Sequence, residues 1–345
     1  MVSEIQKFIH QSLDGRTEFL EREFNRLALK LFASQFESVP IYRRFSETRK
    51  VNPGDVRNWS QIPALPTAAF KEFEVSSIPA AERTDVFYSS GTTQENRSRH
   101  FHHAQSLAIY EASLLSSFER NFQPVPGMRM IFLTPKDAPN SSLVHMFNVV
   151  SQRFAERASI FLGQVNTEGA WSIDLDRALS ELEGPHPVGV LGTAFSFVHL
   201  LDHLNEVGIR ISLPPSSRVM ETGGYKGRSR EVPKPELHAM ISKFLGVSKS
   251  NIVTEYGMSE LSSQAYDREG VFHFPPWARA RVISPETGAE VGERETGLLQ
   301  VFDLANIWSV MAVQTEDLAV RRGAGFELLG RAAKSEPRGC SLMPE

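Results

Sequence analysis

The chain has 345 residues, 41% of them hydrophobic and 10% aromatic, enough to bury one large core or two moderate ones. Lys plus Arg total 37 against 41 for Asp plus Glu, and the net charge of −4 excludes a general attraction for nucleic acid or an anionic membrane surface, so any phosphate must be gripped locally. The single cysteine, Cys340, excludes an internal disulfide and a multi-thiolate metal site.

In chain order, "MVSEIQKFIHQSL" carries polar residues where a signal peptide needs a long apolar stretch, and no later apolar run reaches the length of a membrane span, so the cytosol is the expected compartment. Phe24, Leu27, Ala28 and Leu31 recur at helical spacing. "SVPIYRRF" and "QIPALPTAAFKEF" are proline-punctuated connections. Beyond them, "RMIFLT" (129–134), "PVGVLGT" (187–193) and "SNIVTEYG" (250–257) read as buried strands alternating with segments of helical period, an α/β pattern. From "ARARVISPETGAEVGERETGLLQVFDL" onward the texture predicts β-hairpins turning at Glu-Thr-Gly. The expected organisation is a single domain over 1–330, helical to about 80, α/β over about 81–277 and β-rich over about 278–330, followed by a short tail, 331–345. No internal repeat or low-complexity segment is evident.

Several stretches carry candidate chemistry. "YSSGTTQENRSRHFHH" (88–103) sets Ser89, Ser90, Gly91, Thr92 and Thr93 in a loop whose N–H and O–H groups can converge on an anion, although the closing Gly-Lys-Ser/Thr of a Walker loop is missing. "VMETGGYKGRSRE" (219–231) offers Gly223 and Gly224, a bare backbone edge for a planar ligand. "TEYGMSE" (254–260) provides Tyr256, a ring able to stack on a base, and Glu260, while "TEDL" (315–318) places Asp317 where a carboxylate can hold a pair of sugar hydroxyls. Taken singly, these residues also suit a polar turn, a glycine turn, a core-edge tyrosine and a capping aspartate. His100, His102 and His103 lack a neighbouring carboxylate ligand and make a weak zinc pattern. No Gly-x-Ser-x-Gly elbow occurs.

In order and spacing these segments, from "SVPIYRRF" to the C-terminus, resemble the adenylate-forming superfamily and, within it, the LuxE-type acyl-protein synthetases. The resemblance implies an adenylate-forming large-domain fold with a β-rich subdomain. It implies that Ser89 to Thr93 wrap the pyrophosphate of ATP and that Gly223 and Gly224 lie beside the adenine. Tyr256, Gly257, Ser259 and Glu260 then correspond to a Tyr-Gly-x-Thr/Ser-Glu segment, with Tyr256 against the base and Glu260 on Mg²⁺. Asp317 would hold the ribose, Arg331 would be the arginine of the Gly-Arg step, and "LGTAFSF" (191–197) would line the acyl pocket. His145 falls where superfamily members often place a residue beside that pocket, and could orient the carboxylate.

Departures from the pattern matter. Gln94 stands where the phosphate loop expects glycine, and Arg97 stands near its lysine. Only fourteen residues follow Arg331, so the sequence lacks the superfamily's mobile C-terminal domain and its catalytic lysine. Lys226 or Arg228 could approach the α-phosphate in its stead. LuxE-type proteins share the shortened form and carry a reactive cysteine near the end, which "RGCSLMPE" resembles through Cys340. The expected activity is therefore ATP-dependent activation of a carboxylic acid and transfer of its acyl group to a thiol, Cys340 first and then a reductase or acyl-carrier partner. Two alternatives remain: an acyl- or aryl-CoA ligase delivering to coenzyme A, and a non-catalytic nucleotide-binding module. Phe195 and Phe197 suggest an acid with an apolar chain or ring without choosing between them.

Overall fold

The prolines of the N-terminal connections fix how the first helices turn into the fold. In the computed structural model, which describes residues 1–12, 17–89, 97–154, 156, 158–166, 171–224, 229–267 and 269–332, helix α1 (Val2–Gln11) buries Ile5, Phe8 and Ile9. Helix α2 (Thr17–Ser38) buries Phe24, Leu27, Ala28 and Leu31, the stripe read from the sequence. Pro40 opens α3 (Pro40–Thr48), where its fixed φ suits a first helical position and its missing N–H costs nothing. A two-residue strand, β1 (Leu65–Pro66), and a short helix, α4 (Ala69–Glu72), follow. Tyr42, fully buried on α3, donates from Oη to the carbonyl of Pro63 at 2.8 Å and so locks the connection to the helix.

The α/β part begins with β2 (Asp85–Tyr88) and β3 (Arg99–His102), an antiparallel pair, then α5 (Ala104–Phe122). The chain continues through β4 (Arg129–Phe132), α6 (Ser142–Arg153), β5 (Ile160–Phe161), the pair β6 (Gly163–Val165) and β7 (Trp171–Ile173), α7 (Leu175–Leu182), β8 (Val188–Thr193) and α8 (Ala194–Glu206). It ends with β9 (Arg218–Thr222), α9 (Lys234–Leu245), β10 (Ile252–Tyr256) and β11 (Ala265–Asp267). The predicted strands are thus β4, β8 and β10.

Among the described residues the central sheet has the order β11-β10-β9-β8-β4-β5, parallel throughout except for β11 at one edge. Helices cover both faces. Val190, Val219 and Ile252 point into a core with α7, α8 and α9, while Leu191, Met220 and Val253 point into another with α5 and α6. Burial on both faces is why these strands read as apolar runs rather than alternating ones. The carboxyl ends of β8, β9 and β10 come out at one edge, the place where open α/β sheets leave a crevice for ligands.

The β-rich part comprises β12 (Ala278–Ile283), β13 (Thr296–Asp303), β14 (Ala312–Arg322) and β15 (Gly325–Arg331), all antiparallel, with β1 adding itself parallel to β14. One predicted Glu-Thr-Gly turn is present, with Gly288 at φ +69°. The other is not. Thr296 and Gly297 open β13, and the chain turns earlier, at Arg294 with φ +65°. A Cβ on Gly297 would lie 2.2 Å from the Ile283 carbonyl oxygen, so that glycine serves a close strand approach instead of a bend.

A third apolar core joins α1, α2 and α3 to this sheet, with Phe24 and Phe32 packed in the same cluster as Leu299, Phe302 and Val313. Gln35, buried on α2, donates to the Asn306 carbonyl at 2.6 Å and accepts from the Met311 N–H at 2.9 Å. No helix among the described residues is long and apolar enough to cross a membrane.

Candidate active site

At the end of β10 the chain reaches the crevice with Tyr256, and its side chain joins the central sheet to the β-rich one. Its hydroxyl donates to Asp317 Oδ2 of β14 at 2.7 Å, and its ring meets Phe272, Phe274 and Phe326 edge-on. Asp317 pairs in register with Arg331 of β15, whose Nε lies 3.9 Å from Oδ1. Burial raises the pKa of the Asp317 carboxyl, against the opposing pull of the Tyr256 bond and Arg331. Burial and the adjoining carboxylate push the Tyr256 phenol well up, so it remains a donor throughout the physiological range.

Glu260 lies four residues on, and the segment carrying it is held on several sides. Ser259 Oγ donates to Glu260 Oε2 at 2.9 Å, and the backbone carbonyl of Glu260 accepts from Asn306 Nδ2 at 2.8 Å. His100, from β3, donates through Nδ1 to the Ser259 carbonyl at 2.8 Å, and burial holds its pKa near about 4, so it is neutral there. Asp303 accepts from the Ser262 N–H, Ser263 Oγ and the Ala305 N–H at 2.7 to 2.9 Å. Asp303 and Asn306 escape the sequence reading, and His100 is singled out there only as part of a weak zinc pattern, because a residue far away in sequence gives no local sign of which backbone it will hold.

On the neighbouring strand, Thr222 ends β9 and donates to Glu255 Oε2. Gly223 follows at φ +66° with no atom within 4 Å of where a Cβ would stand, and Gly224 is equally open, as an unobstructed backbone edge requires. Ser89 closes the neck of the phosphate-loop candidate. Its N–H donates to the Ser98 carbonyl at 3.1 Å and its Oγ accepts from the Ser98 N–H at 2.9 Å. Ser90, Gly91, Thr92, Thr93, Lys226, Arg228 and Cys340 lie outside the described residues.

His145, on α6, forms a 3.0 Å contact from Nε2 to Glu111 Oε1 and stacks obliquely on Phe87. His102 Nδ1 meets Ser106 Oγ at 3.2 Å, and His103 caps α5 by accepting from the Ser106 N–H. Each of the clustered histidines therefore has a definite local role. Phe197 packs wholly within the core against α7 and α9.

Among the described residues no group of three or more His, Cys, Asp or Glu could by itself hold a metal. A lone, buried Glu260 carboxylate at the crevice fits Mg²⁺, a hard cation that ordinarily takes few protein ligands and completes its shell with water and substrate phosphate oxygens.

The whole arrangement, a mostly parallel sheet whose crevice is shared with a smaller antiparallel one, has the fold of the adenylate-forming ligases. It superposes on 2-hydroxyisobutyryl-CoA ligase in complex with 2-HIB-AMP and CoA with a TM-score of 0.71 and 14% identity, over 92% of this chain and 69% of that one. With ATP-bound MatB from Rhodopseudomonas palustris the TM-score is 0.51 at 17% identity, over 74% and 49% of the two chains. The narrower assignment comes from sequence: the profile of the acyl-protein synthetase family LuxE matches residues 2–344, and the chain belongs to that family. It is similar to the long-chain-fatty-acid–luciferin-component ligase of Aliivibrio fischeri, 22% identical over 99% of this chain and 93% of that protein. The ligase of the same name from Vibrio harveyi is 20% identical over 92% and 86%. The chain is accordingly an acid–thiol ligase of the acyl-protein synthetase type.

Proposed function

We propose that this enzyme joins a carboxylic acid to ATP as an acyl-adenylate and passes the acyl group to the thiol of Cys340, from which a protein partner removes it. In the first half-reaction a carboxylate oxygen attacks the α-phosphorus, the bond from that phosphorus to the bridging oxygen breaks, and pyrophosphate leaves. In the second, the Cys340 thiolate attacks the acyl carbon and AMP departs, the thiol proton going to solvent. Adenylation is needed because a bare carboxylate offers a thiol no leaving group better than oxide.

The observation that carries this proposal is the bond from Tyr256 to Asp317 at the crevice edge of a LuxE-family chain, with the Glu260 charge bearing on the same tyrosine. Asp317 would receive the ribose hydroxyls, Gly223 and Gly224 would lie along the adenine, and Ser89 would brace the neck of the phosphate loop through Ser98. Glu260 would hold Mg²⁺, which when bound neutralises phosphate charge as it shifts onto the leaving group. Lys226 or Arg228 is the proposed cation for the α-phosphate, and His145 the proposed neighbour of the acid.

The test is intact mass after incubation with Mg-ATP and a panel of acids. One acyl mass should appear, hydroxylamine should remove it, and Cys340→Ser should keep pyrophosphate exchange while losing the adduct. Free acyl-CoA formed at full rate with no acyl mass on Cys340 would transfer the acceptor role to coenzyme A.

A further inference from the structure

The face of the central sheet turned toward α5 and α6 is apolar along most of its length, with Phe122, Phe132, Phe147 and Met220 in contact. At the crevice end its character changes. Glu255 of β10 stands directly opposite Tyr266 of β11, so both side chains leave the sheet on this face. A Cβ on Gly257 would lie 2.5 Å from Glu255 Oε1 and 3.5 Å from Gln264 Cγ, so Glu255 and Gln264 come together beneath that glycine. The Glu255 charge bears on the buried phenols of both Tyr110 and Tyr266 and raises them.

These groups are almost wholly buried, and they are not satisfied. Among the described residues Tyr266 Oη and Gln264 Oε1 have no hydrogen-bond partner, although Gln264 is 4% and Tyr266 3% exposed. Folded proteins rarely leave such atoms unpaired, and two beside one buried carboxylate call for an occupant. A metal is a poor candidate, since the described residues include no cluster of suitable ligands. The chemistry of the cluster points to a different guest. The Gln264 carbonyl and the ionised Glu255 carboxylate can only accept, and Tyr266, which can do either, donates to neither of them. Beyond the Thr222 bond to Glu255, these two acceptors lack a donor.

Their position says which molecule brings it. Glu255 immediately precedes Tyr256 and is bonded to Thr222, which immediately precedes Gly223, so its carboxyl lies between the two strand ends that bound the crevice. Building on the adenylation proposed above, we infer that the acid activated here carries a hydrogen-bond donor, a hydroxyl or an amino group, close to its carboxyl end, and that Glu255 receives it with Gln264 and Tyr266 completing the shell. An unsubstituted hydrocarbon chain at this place would leave the same atoms unpaired and the carboxylate facing methylene groups, which a site built to hydrogen-bond its substrate rejects strongly.

The experiment compares matched acids in ATP–pyrophosphate exchange: butanoic, 3-hydroxybutanoic and 3-aminobutanoic acids, their 2-substituted isomers, and the same series on a dodecanoic chain. The parent should favour a donor-bearing acid over its unsubstituted isostere by at least about tenfold in kcat/KM. Glu255→Leu should bring that ratio close to one. Glu255→Gln, which keeps an acceptor and removes the charge, should reduce the ratio much more for an amino acid than for a hydroxy acid, and so identifies the donor. A parent that prefers the unsubstituted acids, or a Glu255→Leu variant that keeps the parent's ratio, overturns the inference while leaving adenylation intact. Absence of exchange with every acid strikes at adenylation alone. Thermal unfolding of the parent with each acid and no ATP then decides: stabilisation by donor-bearing acids only, lost in Glu255→Leu, upholds the site, and equal or absent shifts refute it.

Discussion

The bond from Tyr256 to Asp317 makes a double-mutant cycle the sharpest probe of the nucleotide site. Asp317→Ala removes the proposed ribose ligand, but it also leaves the buried Tyr256 hydroxyl with only the Met258 sulfur, at 3.4 Å, as a poor acceptor. A stranded buried donor costs about 1–3 kcal/mol, and a hydrogen bond to a charged group contributes about 1.5–3 kcal/mol. Tyr256→Phe deletes the donor while keeping the ring among Phe272, Phe274 and Phe326, and should cost about 1.5–2 kcal/mol. In the double variant nothing is stranded, so its loss should fall short of the sum of the single losses by about 1.5–2 kcal/mol. Urea unfolding reads this coupling, and exchange kinetics on the same samples read the nucleotide. The KM for ATP should rise about 10- to 100-fold in Asp317→Ala, with kcat changing less, because ribose contacts are made in ground and transition state alike. The double variant should match Asp317→Ala in KM, since the tyrosine hydroxyl acts on ATP only through Asp317. Strictly additive stability losses would refute the shared bond, and an unchanged KM in Asp317→Ala would refute the ribose role.

Glu260→Gln should lower kcat strongly and leave nucleotide affinity near that of the parent, as measured by exchange rate and by calorimetric ATP binding; equal losses in both would reduce Glu260 to a structural carboxylate. Burial, with Glu221 of β9 adding to it against the Thr222 bond, pushes Glu255 up to about 7, and Tyr110 of α5 and Tyr266 of β11 also face it. The folded state therefore holds the Glu255 proton longer than the unfolded one, and its ionisation costs stability as pH rises from about 4.5 through 7, by roughly 3 kcal/mol at the top of that window. Glu255→Gln should gain on the parent in unfolding free energy from about pH 5 to pH 8, and a constant difference would contradict the assignment. His100 has the opposite sign: its pKa is depressed to about 4, so its contribution is present above about 6.5 and is lost as pH falls. His100→Gln should flatten acid unfolding between those values, and an unaltered acid limb would show that His100 is not the group that titrates.

Much of the frame can be read before any coordinates because its determinants are local. Strands β4, β8 and β10 announce themselves as apolar runs since both faces of a parallel sheet are covered, and α2 announces itself by its buried stripe. Tyr256, Glu260 and Asp317 stand out because their segments keep an order and spacing, and the structure brings Tyr256 and Asp317 into contact across 61 residues. The second Glu-Thr-Gly misleads because a turn-like tripeptide also suits a strand start where another backbone approaches closely. The donor-seeking cluster is silent for a different reason. Gln264 and Tyr266 look like ordinary surface-compatible residues, and only the pairing of β11 with β10 brings them to Glu255. One signal was available: Glu255 interrupts the apolar run "NIVTEYG", and a carboxylate inside a buried strand must answer to something.

Gln35 carries a consequence for how the chain is made. Its bonds to Asn306 and Met311 span 271 and 276 residues. At ribosomal speeds of about 5–20 residues per second, roughly 14–55 s separate the synthesis of α2 from that of its partners. Throughout that interval Phe24, Phe32 and their neighbours have no sheet to cover them, since the strands they pack on are among the last elements made. The nascent chain thus carries exposed apolar surface at its leading end, and this N-terminal layer is the surface a stalled or shortened chain would leave uncovered.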